Sequence, residues 1–192
     1  MTDQDGAPGV PAAWLVMNRA LLPTSGDALD VACGRGRNAL WLAGQGFTTT
    51  AVDRDAASVA ALNERARTAA LPLRAVVMDL EGAVAPPLGD AAYDVIVVTH
   101  YLHRPLFPSL LAALRPGGAL VYETFLRAQA ARGRPTNPDF LLAPGELRRL
   151  VAPLDVRAAR EGDFDGRMVA GVVAVKGGQV QGPGVTTPGP GH

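Results

Sequence analysis

At 192 residues the chain has the size of one globular domain, and its 48% hydrophobic content allows a sizeable core. Its 18 basic residues balance 18 acidic ones, which argues against a general polyanion binder, whose affinity would rest on excess cationic charge. The single cysteine, Cys33, excludes an internal disulfide and suits a reducing cytosol. The start Met-Thr-Asp-Gln-Asp lacks a basic leader, and no apolar run approaches the roughly 18 residues that span a bilayer. A cytoplasmic protein without membrane association is expected.

Residues 1–10 and the Gly/Pro-rich stretch 176–192 carry too little apolar surface to offset the entropy of ordering, and both are expected to be flexible. The domain then runs over residues 11–175. Pro11–Leu22 reads as an opening helix and Ala28–Ala32 as a first strand. Arg37–Gly44 is a helix closed by Gly44 and Gly46, followed by the β-branched strand Thr48–Val52. Asp55–Ala69 is a helix with Asp55 as its N-cap, and Arg74–Val77 a third strand. Tyr93–Thr99, apolar on both faces, reads as a buried central strand. Leu106–Leu114 is a helix, Ala119–Glu123 a strand and Gly145–Val151 a helix. The late strands Val156–Arg160 and Met168–Val175 are joined by Glu-Gly-Asp-Phe-Asp-Gly, which is too short for a crossover helix and demands an antiparallel hairpin. The alternation as a whole marks an α/β fold.

The loop after the first strand, Asp30-Val-Ala-Cys-Gly34-Arg-Gly36-Arg-Asn38, leads directly into a helix. Its glycines let the backbone turn tightly and approach a ligand, and the helix N-terminus offers free N–H groups. Gly34, Gly36 and Ala39 also match a dinucleotide fingerprint, with Asp53 about 20 residues on to bind ribose hydroxyls. Three features favour a methyl donor over a dinucleotide. Asp30 can reach the ammonium of a methionine moiety and would repel a pyrophosphate. Asp79 lies after strand three, where an adenine amino group can be read. The closing hairpin completes a seven-stranded sheet in place of six parallel strands.

The run LDVACGRGRNALWLAGQGF…AVDRD resembles motifs I and II of class I S-adenosylmethionine-dependent methyltransferases, in particular the tellurite/thiopurine-resistance-like small-molecule group. Tyr93-Asp94, Leu114-Arg-Pro-Gly-Gly118 and Tyr122-Glu123-Thr124 resemble the fourth and fifth strand motifs. The resemblance implies a Rossmann-like, seven-stranded, mostly parallel sheet with a C-terminal antiparallel hairpin and helices on both faces. It implies S-adenosyl-L-methionine as cofactor, with no metal. Asp30, Ala32, Gly34 and Gly36 would contact the methionine part, with Asn38 in the same set at the helix start. Asp53 would hold the ribose, flanked by Arg54; Asp79 and Leu80 would hold the adenine, and Thr99 would line the sulfonium end.

In an open α/β sheet, ligands bind outside the carboxyl ends of the strands. Beyond strand four that edge reads Thr99-His100-Tyr101-Leu102-His103-Arg104, so His100 and Tyr101 are the candidates for orienting or deprotonating the acceptor. The long segment 123–140 is expected to form a lid or binding loop, with Arg127, Arg132 and Arg134 available to an anionic acceptor. The partner expected is a small-molecule methyl acceptor rather than nucleic acid, with an RNA- or protein-modifying methyltransferase or a non-catalytic cofactor-binding protein as the alternatives, and the protein is expected to act as a monomer or homodimer. Cys33 reads as structural, Trp14 and Trp41 as core, and Phe140-Leu-Leu as an anchor beneath the loop.

Overall fold

A computed structural model of the chain describes residues 9–82 and 86–177. The strands are β1 (Gly26–Val31), β2 (Phe47–Asp53), β3 (Leu73–Val77), β4 (Tyr93–Thr99), β5 (Leu114–Phe125), β6 (Asp155–Phe164) and β7 (Arg167–Val175). They form one sheet in the order β3-β2-β1-β4-β5-β7-β6. The first five are parallel, and β7 runs antiparallel to both β5 and β6. The expected seven-stranded sheet with its closing hairpin is therefore present. The hairpin turn is tighter than the gap read from sequence: Asp165 (φ 52) and Gly166 (φ 77) make the whole connection, both left-handed as the twist of a two-residue hairpin requires.

Helices cover both faces. α1 (Ala13–Met17), α2 (Arg37–Gly44) and α3 (Ala56–Thr68) lie on one side, and α4 (Phe107–Ala113) and α5 (Glu146–Leu150) on the other. Alternation along the strands sorts the core between them: Val95, Val97, Ala119 and Val121 face the α1–α2 layer, while Ile96, Val98, Leu120 and Tyr122 face α4 and α5. Residues 95–98 are wholly buried, as a central strand covered on both sides must be.

The opening helix is shorter than its pattern suggests. The Asn18 side chain donates to the Trp14 carbonyl at 2.8 Å, and such local side-chain bonds compete with helix continuation. The chain then makes only a 3-10 turn over Arg19–Leu21. Strand five begins earlier than expected, at Leu114, which pairs with Tyr93 before the register shifts between Tyr93 and Val95.

The stretches 1–8 and 178–192, most of the two segments expected to be flexible, lie outside the described residues. Lys176, placed by composition in the flexible tail, is anchored instead: its backbone pairs with Gly117 and Gly118, and its ammonium donates to the Leu111 and Leu114 carbonyls at 2.8 Å. Among the described residues no helix is long and apolar enough to cross a membrane. The same residues hold no group of three His, Cys, Asp or Glu placed to bind a metal.

Candidate active site

Strand order reverses between β1 and β4, since β1 continues to β2 on one side and β4 to β5 on the other. Such a switch point opens a crevice at the strand C-termini. Two non-glycine residues with left-handed backbones flank it: Ala32 (φ 54) just beyond β1 and His100 (φ 57) just beyond β4. Left-handed conformations at non-glycine residues persist where the surroundings over-determine them, and they cluster at functional sites. At His100 the constraint is visible, because its N–H donates to the Glu123 carbonyl at 2.8 Å.

The glycine loop is fixed from below and open above. The Cys33 N–H extends the β1–β2 ladder to the Val52 carbonyl, and Gly36 closes a turn onto Cys33. Gly36 (φ 76) lies so near Leu62 of α3 that a Cβ would clash with it. Gly34 (φ 53) has nothing within 4 Å of the place a Cβ would take, so its backbone borders free space. Burial and the nearby carboxylates push the Cys33 thiol well above its ordinary pKa, which leaves it a packing group and not a nucleophile.

Two carboxylates organise the loop. Asp53 accepts from the Gly34 N–H at 2.7 Å through one oxygen and from the Asp55 N–H at 2.9 Å through the other. Asp55 in turn caps α3, accepting from the Ala57 N–H at 3.1 Å, as the sequence suggested. Asp30 is only 1% exposed and accepts from the Ala39 N–H in α2 at 2.9 Å. Burial outweighs that bond and the nearby Arg37, raising the Asp30 carboxyl to about 7. Its place is beneath the loop rather than at its rim.

Asn38 and Thr99 form a relay across the crevice floor. The Asn38 amide donates to Thr99 Oγ1 at 2.9 Å, while its carbonyl oxygen accepts from the Ala12 N–H at 2.9 Å. One buried side chain thus ties the segment leading into α1 to both α2 and the end of β4. Arg54 and Glu81 pair at 3.7 Å on the outside, and Asp79 accepts from the Glu81 N–H at 3.0 Å. Leu80 is buried beside them.

His100 and Tyr101, neighbours in sequence, serve different surroundings. His100 stacks on Phe125 at 4.9 Å, and its Nδ1 lies 3.2 Å from an Arg37 guanidinium nitrogen. A guanidinium can only donate, so Nδ1 accepts, Nε2 carries the proton, and the ring in this arrangement is a donor. Tyr101 packs instead onto the apolar cluster that contains Leu80. Its hydroxyl is pushed far above the ordinary tyrosine value, by burial first and then by Glu81 and Asp79. It is no base at neutral pH.

Beside this edge lies a buried ion pair that the sequence reading did not single out. Glu123 of β5 accepts from Arg160 Nε of β6 at 2.6 Å, although β7 runs between them. The residue opposite both is Gly171, where a Cβ would approach Trp14 at 3.1 Å and the Glu123 carboxylate at 3.2 Å. The missing side chain leaves room for the pair to span two strand spacings. The Arg160 guanidinium also lies over the Trp14 and Phe164 rings at 4.7 and 4.5 Å. Only the register could have revealed this group, since its members are scattered from residue 14 to residue 171.

The long segment after β5 is an Ω-loop whose neck is a bridge between Leu126 and Leu142. Leu141 and Leu142 are buried and Phe140 is exposed, so the anchor is the leucine pair. Arg132 is engaged with Asp163 at 2.5 Å. The clasp is Arg104, which donates to Glu146 at 2.6 and 3.1 Å, to the Asp139 carbonyl at 2.8 Å and to the Leu141 carbonyl at 3.0 Å. Arg104→Gln should loosen the loop and speed tryptic cleavage after Arg127 or Arg132 about tenfold, by lowering the cost of local opening. An unchanged cleavage rate would show that the clasp does not hold it.

A family described as a methyltransferase domain matches residues 28–118. Hemagglutinin 1 of Eikenella corrodens is 33% identical over 65% of the chain and 42% of its own length. The probable S-adenosyl-L-methionine-dependent methyltransferase TehB of Haemophilus influenzae (strain Rd) is 30% identical over 52% of the chain and 35% of its own length. The chain thus spans less than half the length of these two relatives. The crystal structure of TehB from Haemophilus influenzae superposes with a TM-score of 0.72 at 21% identity, covering 88% of this chain and 63% of that one.

Proposed function

We propose that this chain, which belongs to the class I S-adenosylmethionine-dependent methyltransferases and within them to the TehB-like group, methylates a small molecule held beside His100 at the mouth of the β1–β4 crevice. The observation that carries the reading is the open face of Gly34 bordered by the Asp53 carboxylate. A backbone bare of side chains meets an acidic group suited to a pair of ribose hydroxyls. The residues present fit the cofactor.

In this reading Gly34, Gly36 and Ala32 border the methionine part, and Asp30 balances its ammonium from below. Asp53 receives the ribose with Arg54 flanking, Asp79 and Leu80 receive the adenine, and Thr99 and Asn38 hold the floor. The bound cofactor supplies a methyl group on a positively charged sulfur, which a nucleophile can take by in-line displacement. The chain's task is chiefly to align and shield, which can account for a large share of the acceleration. His100 orients the acceptor through its Nε2 proton. In this reading the Ω-loop clasped by Arg104 covers the acceptor.

S-adenosylhomocysteine should raise the melting temperature of the protein, and NAD should not. Asp53→Ala should weaken S-adenosylhomocysteine by about 30- to 150-fold, the worth of roughly 2–3 kcal/mol in charge-assisted hydrogen bonds. Calorimetric affinity within threefold of the wild type would remove Asp53 from the ribose site. Stabilisation by NAD alone would overturn the cofactor assignment.

A further inference from the structure

Asn38, in the first turn of α2, is only 3% exposed, and both polar atoms of its side-chain amide are engaged. The oxygen accepts from the Ala12 N–H at 2.9 Å. A backbone N–H can only donate, so the amide cannot be turned over, and its nitrogen is left to face Thr99 and Asp30. That nitrogen donates to Thr99 Oγ1 at 2.9 Å, and the side chain also hydrogen-bonds the Asp30 carboxyl. Thr99 ends β4 on the face shared by Val95 and Val97, at the switch point between Ala32 and His100. An amide nitrogen can only donate, so the Thr99 oxygen accepts and its own proton points elsewhere. The described residues provide no acceptor for that proton. Thr99 is half-buried, where the strand ends open onto the crevice.

We propose that Asn38 is a positioning residue, which turns the Thr99 hydroxyl proton toward the carboxylate at the amino-acid end of the bound cofactor. The assignment rests on the adenosylmethionine reading above and deepens it. Within the methionine part only the carboxylate accepts strongly, since the ammonium can only donate and the sulfur is positive. A hydroxyl fixed as a donor therefore selects the carboxylate. The acid Asp30 and the donor Thr99 flank one amide, an arrangement that suits an ammonium and a carboxylate borne on the same carbon. α2 begins without a side-chain cap, and the positive end of its dipole favours an anion on this side. The Arg37 guanidinium, 3.2 Å from His100 Nδ1, adds positive charge at the same edge. Through the Ala12 bond, the orientation of Thr99 depends on the segment that leads into α1.

The test compares S-adenosylhomocysteine with S-adenosyl-3-thiopropylamine, which keeps the adenosine, sulfur and amine and lacks only the carboxylate. By calorimetry the wild type should prefer the first by about tenfold or more. Thr99→Val is isosteric and lacks the hydroxyl; it should narrow that preference about five- to tenfold. Thr99→Ser, which restores the hydroxyl, should hold the preference within about twofold of the wild type. Asn38→Ala should narrow it by about threefold or more with Thr99 intact, as expected of a residue that acts through its neighbour. If Asn38→Ala is too unstable to assay, Asn38→Ser, too short to bridge Ala12 and Thr99, should give the same narrowing. Equal loss of both ligands in Thr99→Val, the mark of a merely structural role, would overturn the proposal. So would a preference narrowed by Thr99→Val and left intact by the Asn38 variant. A wild type that bound both ligands equally would overturn it too, while the cofactor reading stood. If the wild type bound neither, the cofactor reading itself would fall, and this proposal with it.

Discussion

Glu123→Ala should destabilise the fold by about 3–5 kcal/mol, because it strands the Arg160 guanidinium in the protein interior. Arg160 has a side chain only 13% exposed and Glu123 one only 6% exposed. Burial holds the Glu123 carboxyl above its ordinary value even with Arg160 against it, so desolvation is the larger effect and the pair is a costly element of the interior. Removing one partner keeps the desolvation and discards the attraction. Removing both is different: Glu123→Met with Arg160→Met should recover most of the loss, since an apolar pair of similar volume carries no desolvation. The guanidinium contacts with Trp14 and Phe164 would be lost as well, each worth about 0.5–2 kcal/mol, so full recovery is not expected. Urea midpoints of Glu123→Met, Arg160→Met and the double give the coupling directly. A Glu123→Ala loss below 1 kcal/mol would mean that water reaches Arg160.

Asp30→Asn should give a protein more stable at pH 8 and poorer at binding S-adenosylhomocysteine. The Asp30 carboxyl rises from 3.8 to about 7 in the folded chain. For an acid with a raised folded pKa, the native state holds the proton more tightly than the unfolded one. The stability this contributes is complete below pH 3.8 and is lost as pH climbs to about 7. The full shift corresponds to roughly 4 kcal/mol. Asparagine is nearly isosteric, can still accept from the Ala39 N–H, and carries no charge to desolvate. The variant should gain about 1–3 kcal/mol at pH 8, seen as several degrees in melting temperature. It should also lose the wild type's decline between pH 4 and 7. Binding should weaken at least tenfold, because a buried anion below the loop is what a methionine ammonium would seek. A variant with unchanged stability at pH 8 would show that the ionised Asp30 carboxylate costs the folded chain nothing, its burial being offset by its Ala39 bond and Arg37.

The parallel core and the closing hairpin were legible because both rest on local pattern. The apolar run Val95–Val98 of β4 needs cover on two faces, and a seven-residue gap between late strands admits no crossover. The glycine loop, with Asp53 and Asp55 at the end of β2, was legible for the same reason: its chemistry lies within about 25 consecutive residues. The Asn18 bond that cuts α1 short was harder to read, since apolar spacing alone continues to Leu22. Least accessible was what depends on register across the sheet. Glu123 and Arg160 meet only because Gly171 falls opposite both of them. Nor does spacing reveal that Tyr101 turns toward Leu80 while His100 turns toward Phe125. That divergence is set by one left-handed residue at the end of β4.

The seating of Trp14 also bears on how the chain acquires its shape during synthesis. Its indole N–H donates to the Val172 carbonyl, 158 residues along the chain. The first helix therefore cannot settle until the last strand has emerged. At ribosomal speeds of about 5–20 residues per second, this leaves an amphipathic segment waiting for about 8–30 s. Over that interval it is a natural handle for a chaperone. Its docking is the final stitch of the fold, and through Asn38 that stitch also fastens the floor of the crevice.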